Sequence, residues 1–190
     1  VASNGSMGAM AATVRPDVYS GSSILGLTYT GTKYPSSGTR EHPNAATALD
    51  WYIANGTTIA YTSLPSARIR GVVLGPNHNP FGSTNARGIY VIDCGNNNIT
   101  IRDARIEGTL VLLNPGSSSK IDRSMNWKPA DPALPALLVR GRITIELLAT
   151  NLSEATIVAN LNPVTAPYGG VWDADTSDTY SSRIEGLIYA

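Results

Sequence analysis

The chain is short of charge, of lysine and of cysteine, and these shortages limit what it can be. Charged residues make up 15% of the 190 residues, and 14 Lys and Arg cancel 14 Asp and Glu. Nucleic-acid binding needs a surplus of clustered cations to displace counterions from phosphates, so no nucleic-acid partner is expected. Cys94 is the one cysteine, which rules out an intrachain disulfide and a cysteine zinc cluster. In the setting "YVIDCG" it reads as a small buried hydrophobe. No apolar run approaches the ~20 residues of a membrane-spanning helix, so no transmembrane segment is expected in this chain. The opening "VASNGSMGAMAATV" lacks a charged n-region and a full apolar h-region. Residues 1–20 therefore read as a flexible leader, or as the stub left by a removed one. Few lysines, many hydroxyls and a single thiol fit an extracytoplasmic protein, at the cell surface or secreted.

Turn formers and small polar residues are what the chain has in abundance. Ser, Thr and Asn make up about a quarter of it, beside 18 Gly and 12 Pro. Turn-rich, charge-poor composition points to an all-β domain. A short phrase also recurs: "RIRGVVL", "NARGIYV", "RIEGTLV", "LVRGRIT" and "RIEGLIY", centred on Gly71, Gly88, Gly108, Gly141 and Gly186. Two positions before each glycine stand Ile69, Ala86, Ile106, Val139 and Ile184; one position before stand Arg70, Arg87, Glu107, Arg140 and Glu185. Apolar beside charged, followed by β-branched or aromatic residues, is the alternation of a half-buried strand. Glycine spacings of 17 and 20 residues match one coil of a parallel β-helix, a single-stranded solenoid whose coils stack because none can bury its apolar face alone.

Within "NNNITIRDARIEG" two strands of one coil are expected, with Ile99, Ile101 and Ile106 inward and Asn96–Asn98 at the corner. The wider glycine spacings call for loop excursions near 114–135 and 165–182, with "ATIVANLNP" as a further apolar strand between them. "SILGLTYTG" and "GTTIAYTSL" also read as strands. "NAATALDWYIANG" carries apolar positions at helical spacing, with Asn44 as N-cap and Gly56 as stop, and predicts a short N-terminal capping helix. The β-helix domain is placed at 21–190. Its strand pattern runs to the last residue, so more coils, or a partner covering the edge, are expected beyond it. The alternative architecture is a β-sandwich, with the repeated phrase marking hairpin strands.

These repeats resemble the right-handed parallel β-helix superfamily of pectate-lyase-like proteins. Within it, "GVVLGPNHNPFGSTNARGIYVIDCGNNNITIRDARIEGTLVLLNPG" and "NPVTAPYGGVWDADTSDTYSSRIEGLIYA" are similar to uncharacterised bacterial cell-envelope proteins. In those, a pilus-assembly-type N-terminal anchor precedes a β-helical ectodomain. The resemblance covers about 67–190 and implies a fold and a location at the cell surface, without an activity to transfer.

Two functions follow as expectations. The first is a non-catalytic structural or adhesive ectodomain, a rigid spacer that holds its loops toward a cell-wall or extracellular polysaccharide or a surface protein. The second is a polysaccharide lyase or glycoside hydrolase on the same scaffold. Lyases of the resembling kind use aspartates for calcium and an Arg or Lys as base, which singles out Asp93, Arg102, Asp103 and Arg105. The competing reading makes these ordinary outward polar residues. "DADTSD" places Asp173, Asp175 and Asp178 within six residues, an oxygen-rich set suited to calcium, although such loops are also ordinary turn chemistry. No other cofactor is expected. Trp127, Tyr168 and Trp172 lie in the predicted excursions, either stacking on sugar rings or folding back to seal the domain, and Trp51 reads in the same way. His42 and His78 read as solvated loop residues. Arg70, Arg87 and Arg140 read as part of a charged ladder with the neighbouring glutamates, worth about 0–1 kcal/mol per pair.

Overall fold

The computed structural model describes the backbone of residues 2–3, 7–14, 18–20, 24–29, 32–36 and 45–189, and the side chains of 32–36 and 49–189. The chain divides into two compact units, Val1–Ala45 and Ala46–Ala190. In the first, β1 (Ala2–Ser3), β3 (Val18–Ser20) and β5 (Lys33–Tyr34) form one parallel sheet, while β2 (Met7–Val14) pairs in parallel with β4 (Ile24–Tyr29). Residues 1–20, read from sequence as a leader, contribute three of these strands. Asn44 and His42 lie outside the described residues.

The second unit is mostly β, and its two main sheets are wholly parallel. Sheet I contains β7 (Arg68–Arg70), β8 (Val73–Leu74), β10 (Thr100–Glu107), β12 (Lys120–Lys128), β14 (Thr144–Leu147) and β17 (Arg183–Ile184). Sheet II contains β6 (Thr57–Thr58), β9 (Ile89–Asp93), β11 (Thr109–Leu113), β13 (Leu137–Arg140) and β18 (Ile188–Tyr189). The chain alternates between them, β10 to β11 to β12 to β13, returning each time one strand further along the same sheet. Register aligns like with like. Ile69, Ile101, Ile121 and Ile145 are successive partners in sheet I, as are Leu74, Ile106, Trp127 and Ile184. Tyr90, Leu110, Leu137 and Ile188 do the same in sheet II.

Side chains from both sheets meet in one interior cluster that includes Ile69, Leu74, Tyr90, Ile101, Ile106, Leu110, Trp127 and Leu137. Each buried aliphatic chain contributes roughly 1.5–3 kcal/mol. Polar atoms inside are satisfied: Trp127 Nε1 donates to the Gly108 carbonyl at 3.0 Å and the Tyr90 hydroxyl to Gly75 at 2.7 Å. Ile99, Ile101 and Ile106 are all buried, as the alternation predicts, and the bend between them falls on Asp103 at φ 47°.

The glycine alignment requires correction. Gly88 and Gly108 sit back to back at one corner, where a Cβ on Gly108 would lie 2.3 Å from the Gly88 carbonyl oxygen. Gly186 occupies the corresponding junction between β17 and β18. Gly71 instead stands at the bend opposite Asp103, donating to its carbonyl at 2.8 Å, and Gly141 packs on Pro115 at a third corner. The shared phrase therefore marks three kinds of corner, each of which needs a glycine for its own reason. Ile106 and Ile184 share a column with Trp127 between them, whereas Ile69 belongs to the other sheet I column. Ala86, aligned with these inward residues, is exposed.

Other expectations also shift. The segment 114–135 is no simple excursion, since it supplies β12, a central strand of sheet I. Its alternation is broken by Arg123 at φ 64°, so Ile121, Met125 and Trp127 face inward on either side of a kink. "ATIVANLNP" is not a strand. Ser153 caps a single helical turn, α2 (Glu154–Ile157, following α1 below), and Val158 in left-handed conformation ends it with its side chain 83% exposed. "GTTIAYTSL" gives only β6 before short 3₁₀ turns at Tyr61–Ser63 and Pro65–Ala67.

The helix α1 (Ala45–Asn55) ends before Gly56, as the sequence predicts. Its Leu49, Tyr52 and Ile53 pack against Val91, Val111, Leu113 and Leu138, a set alternate to the interior residues of sheet II. The helix thus covers the outer face of that sheet. A Cβ on Gly56 would meet Val91 at 2.6 Å. Covering both faces explains why β11 is buried along its whole length, as strands of parallel sheets usually are.

Candidate functional site: an acidic loop over sheet I

The segment between β14 and β17 folds over the outer side of sheet I. A short antiparallel pair, β15 (Leu152–Ser153) with β16 (Thr179–Tyr180), joins its two ends, matching Leu152 to Tyr180 and Ser153 to Thr179. Continuing that register places Glu154 against Asp178, and Glu154 N–H donates to the Asp178 carbonyl at 3.0 Å. Leu152, Leu161 and Tyr180 close on Val73 beneath the loop as a second apolar cluster. Three carboxylates converge above it. One oxygen from each of Glu154, Asp173 and Asp178 lies within 4.8 Å of the other two.

Glu154 is fully buried and held from three sides: Leu161 N–H at 2.5 Å, the Tyr180 hydroxyl at 2.8 Å and Asp178 N–H at 3.3 Å. The Tyr180 hydroxyl also lies 3.2 Å from Asp178 Oδ2. Burial, then its bond to Glu154 and the adjacent negative charges, raise the Tyr180 pKa well above the phenol range, so it stays protonated as a donor. The Asn162 side-chain amide bridges Asp173 Oδ2 and Asp178 Oδ2 at 2.9 Å each, while its Oδ1 accepts Tyr168 N–H at 2.6 Å. Asp173 Oδ1 is sealed from solvent and accepts no hydrogen bond, alone in this among the side-chain oxygens and nitrogens of the described residues.

Beside the acids lies Arg105, buried with 2% of its surface exposed. Its Nε donates to the Leu161 carbonyl at 2.6 Å and its Nη2 to that of Ala166, and Nη1 stands 3.7 Å from Glu107. The guanidinium also lies over the Tyr168 ring, 5.6 Å from its centre. Burial pulls its pKa down despite the neighbouring acids, but arginine keeps its charge. His78 shares a 2.6 Å hydrogen bond with Thr165; burial, then the charge of Arg105, lower its pKa. Arg105 therefore works as a clamp that fastens the loop to sheet I.

Next to the clamp, Asn126, Trp127, Lys128, Tyr168, Gly169, Arg183 and Glu185 line an open cleft of about 330 Å³. Lys128 reaches Glu107 at 3.3 Å and Arg183 reaches Glu185 at 2.5 Å. The cleft thus offers paired charges of both signs and one half-exposed aromatic ring.

The residues singled out in the sequence scatter over separate tasks. Arg102 forms a two-point ion pair with Asp122, at 2.7 and 2.5 Å, in which Lys120 joins at 2.7 Å. Asp103 turns the chain and faces Arg70 at 3.6 Å. Asp93, at the end of β9, accepts Gly95 N–H and the Asn114 amide at 3.0 Å each. With Arg105 under the loop, these four do not converge on a common point. Asp173 and Asp178 do come together, but their third partner is Glu154. Asp175 is exposed and closes a turn on Ser177. Trp127 is 1% exposed within the core and cannot offer a ring face, whereas Trp172 is 54% exposed and Tyr168 is half exposed. Trp51 is half exposed beneath Arg87, 5.3 Å from its guanidinium. Nothing in the sequence pattern points to Asn162 or Tyr180. The one signal for Glu154 was a carboxylate set inside an otherwise apolar and hydroxyl-rich stretch, "NLSEATIV". Comparison with protein-family models, curated proteins and solved structures finds no match to this chain.

Proposed function

We propose that the Ala46–Ala190 unit is a right-handed parallel β-helix of the pectate-lyase-like kind, acting as a rigid, non-catalytic spacer and binding ectodomain at a bacterial cell surface. The observation that carries this reading is the in-register alignment of whole columns across successive passes, above all Leu74–Ile106–Trp127–Ile184. A chain that alternates between two parallel sheets and advances one strand per pass is the connectivity of a solenoid. Parallel crossovers are right-handed in about 98% of cases, which supports the hand.

The ion pairs support a structural role for the polar residues. Arg102, Asp103 and Asp93 each have a local partner that spends their charge on the scaffold. The cleft beside Tyr168 is the surface best suited to an extracellular polysaccharide, because one aromatic ring and hydrogen-bonding groups of both polarities can meet a sugar ring and its hydroxyls. Glycoside hydrolysis, by contrast, needs a pair of carboxylates flanking an exposed glycosidic bond, and the converging acids do not offer one, because Glu154 is fully buried and hydrogen-bonded within the loop.

The test joins a glycan array with assays for new reducing ends and for unsaturated products on pectin, alginate and peptidoglycan fragments. Binding without turnover, weakened by Tyr168→Ala, is the expected result. Turnover of any of these polymers would refute the non-catalytic reading. A crystal structure showing open or left-handed sheets would refute the β-helix.

A further inference from the structure

An acidic cluster is not a site merely because it is acidic; most are solvated. Here one acid is fully buried and the other two are part-buried. Glu154 has no exposed surface, and Asp173 keeps a sealed carboxylate oxygen with no donor. A buried carboxylate oxygen with no donor has lost its solvation with nothing in return, which calls for a ligand to meet it. The cation packed behind the same loop cannot do so. All three nitrogens of Arg105 are directed to the Leu161 and Ala166 carbonyls and to Glu107. The donors that do reach the cluster, Tyr180, Asn162 and backbone N–H groups, are neutral. Among the described residues no cation forms an ion pair with the three carboxylates, and Arg105 reaches Glu154 only through its field.

We propose that Glu154, Asp173 and Asp178 bind a calcium ion that locks the loop between β15 and β16. The chemistry fits a hard cation taking oxygen ligands only. The three ligand oxygens lie no more than 4.8 Å from one another, close enough to share one cation, and calcium tolerates uneven ligand spacing where magnesium demands a strict octahedron. Asp173 Oδ1 is free to coordinate at no loss of an existing hydrogen bond. The ion ties α2 at one end of the loop to β16 at the other, and holds Val171 and Trp172, both exposed beside Asp173, in fixed orientation. This assignment is independent of the spacer reading, because it concerns the loop and not the sheets.

The experiment uses the whole chain, stripped with EGTA and returned to CaCl2 or MgCl2. With CaCl2 at a hundredfold excess over its dissociation constant, the melting midpoint rises by about 5–10 °C. Titration calorimetry gives one calcium per chain, and Trp172 emission changes with the same curve, a change lost in Trp172→Phe. Asp173→Asn and Asp178→Asn abolish the response, while Asp175→Asn, outside the group, keeps it. The native Trp127 emission shows that each variant is folded. No response to 10 mM CaCl2 would overturn the proposal. So would an equal response to MgCl2, or loss of binding in Asp175→Asn with retention in Asp173→Asn.

Discussion

Replacing Gly108 by alanine tests the close contact at the corner where the chain leaves sheet I. The new Cβ would stand 2.3 Å from the Gly88 carbonyl oxygen and 3.3 Å from its carbonyl carbon. The contact atoms are backbone, held by Thr109 N–H donating to that same oxygen at 2.9 Å, so neither side can swing away. The corner must open by about 1 Å, which disturbs the Gly108 carbonyl that receives the Trp127 indole N–H. Overpacking costs about 1–3 kcal/mol and sometimes more, and a backbone-on-backbone clash belongs at the top of that range. Three kcal/mol lowers the melting midpoint by about 6–12 °C for a chain of this size. The matched control is Gly75→Ala, whose Cβ would meet nothing nearer than Glu107 at 3.7 Å; it should melt within about 2 °C of the parent. Trp127 is the buried tryptophan of the described residues, against half-exposed Trp51 and Trp172, so blue-shifted emission follows this core directly. If Gly108→Ala melted together with Gly75→Ala, the two corners would not be stacked as described and the column alignment would be wrong.

Three further outcomes are expected. Arg105→Met leaves the Leu161 and Ala166 carbonyls without their donor, and each buried loss costs about 1–3 kcal/mol; hydrogen exchange should quicken in 158–172 while the amides of β9 and β11 keep their protection, and unchanged loop exchange would refute the clamp. Asp122 is desolvated, but its bonds to Arg102 and Lys120 outweigh that and hold its pKa below the usual carboxylate value. A depressed folded pKa gives stability present above the unfolded value near 4 and lost as pH falls through the folded one, so stability should fall below pH 4 by less in Asp122→Asn than in the parent. Burial, then the Asp93 charge, push the Cys94 thiol up to about 11; at pH 8 a disulfide reagent should label it only as fast as the protein unfolds, and prompt labelling of native protein would contradict its burial.

Much of the fold was legible because burial writes itself into alternation. Ile99, Ile101 and Ile106 point inward as their spacing requires, and the charged residues before the glycines stay outside. Gly56 ends its helix for the reason its type suggests. What the sequence could not separate was which glycine belongs to which corner. A glycine answers equally to a left-handed turn, as at Gly71, and to a carbonyl passing too close for a methyl group, as at Gly108, and only the packed neighbours tell the two apart. β12 is hidden because a left-handed kink at Arg123 breaks its period, and "ATIVANLNP" is no strand because a serine cap and a buried glutamate outweigh its β-branched residues. The acidic site divides in the same way. Asp173 and Asp178 are visible as neighbours in the chain, but Glu154 joins them through the antiparallel register of β15 and β16 across more than twenty residues. Local pattern fixes which way a side chain faces. Which distant carboxylate it meets is decided by long-range pairing, and that exists only once the chain has folded.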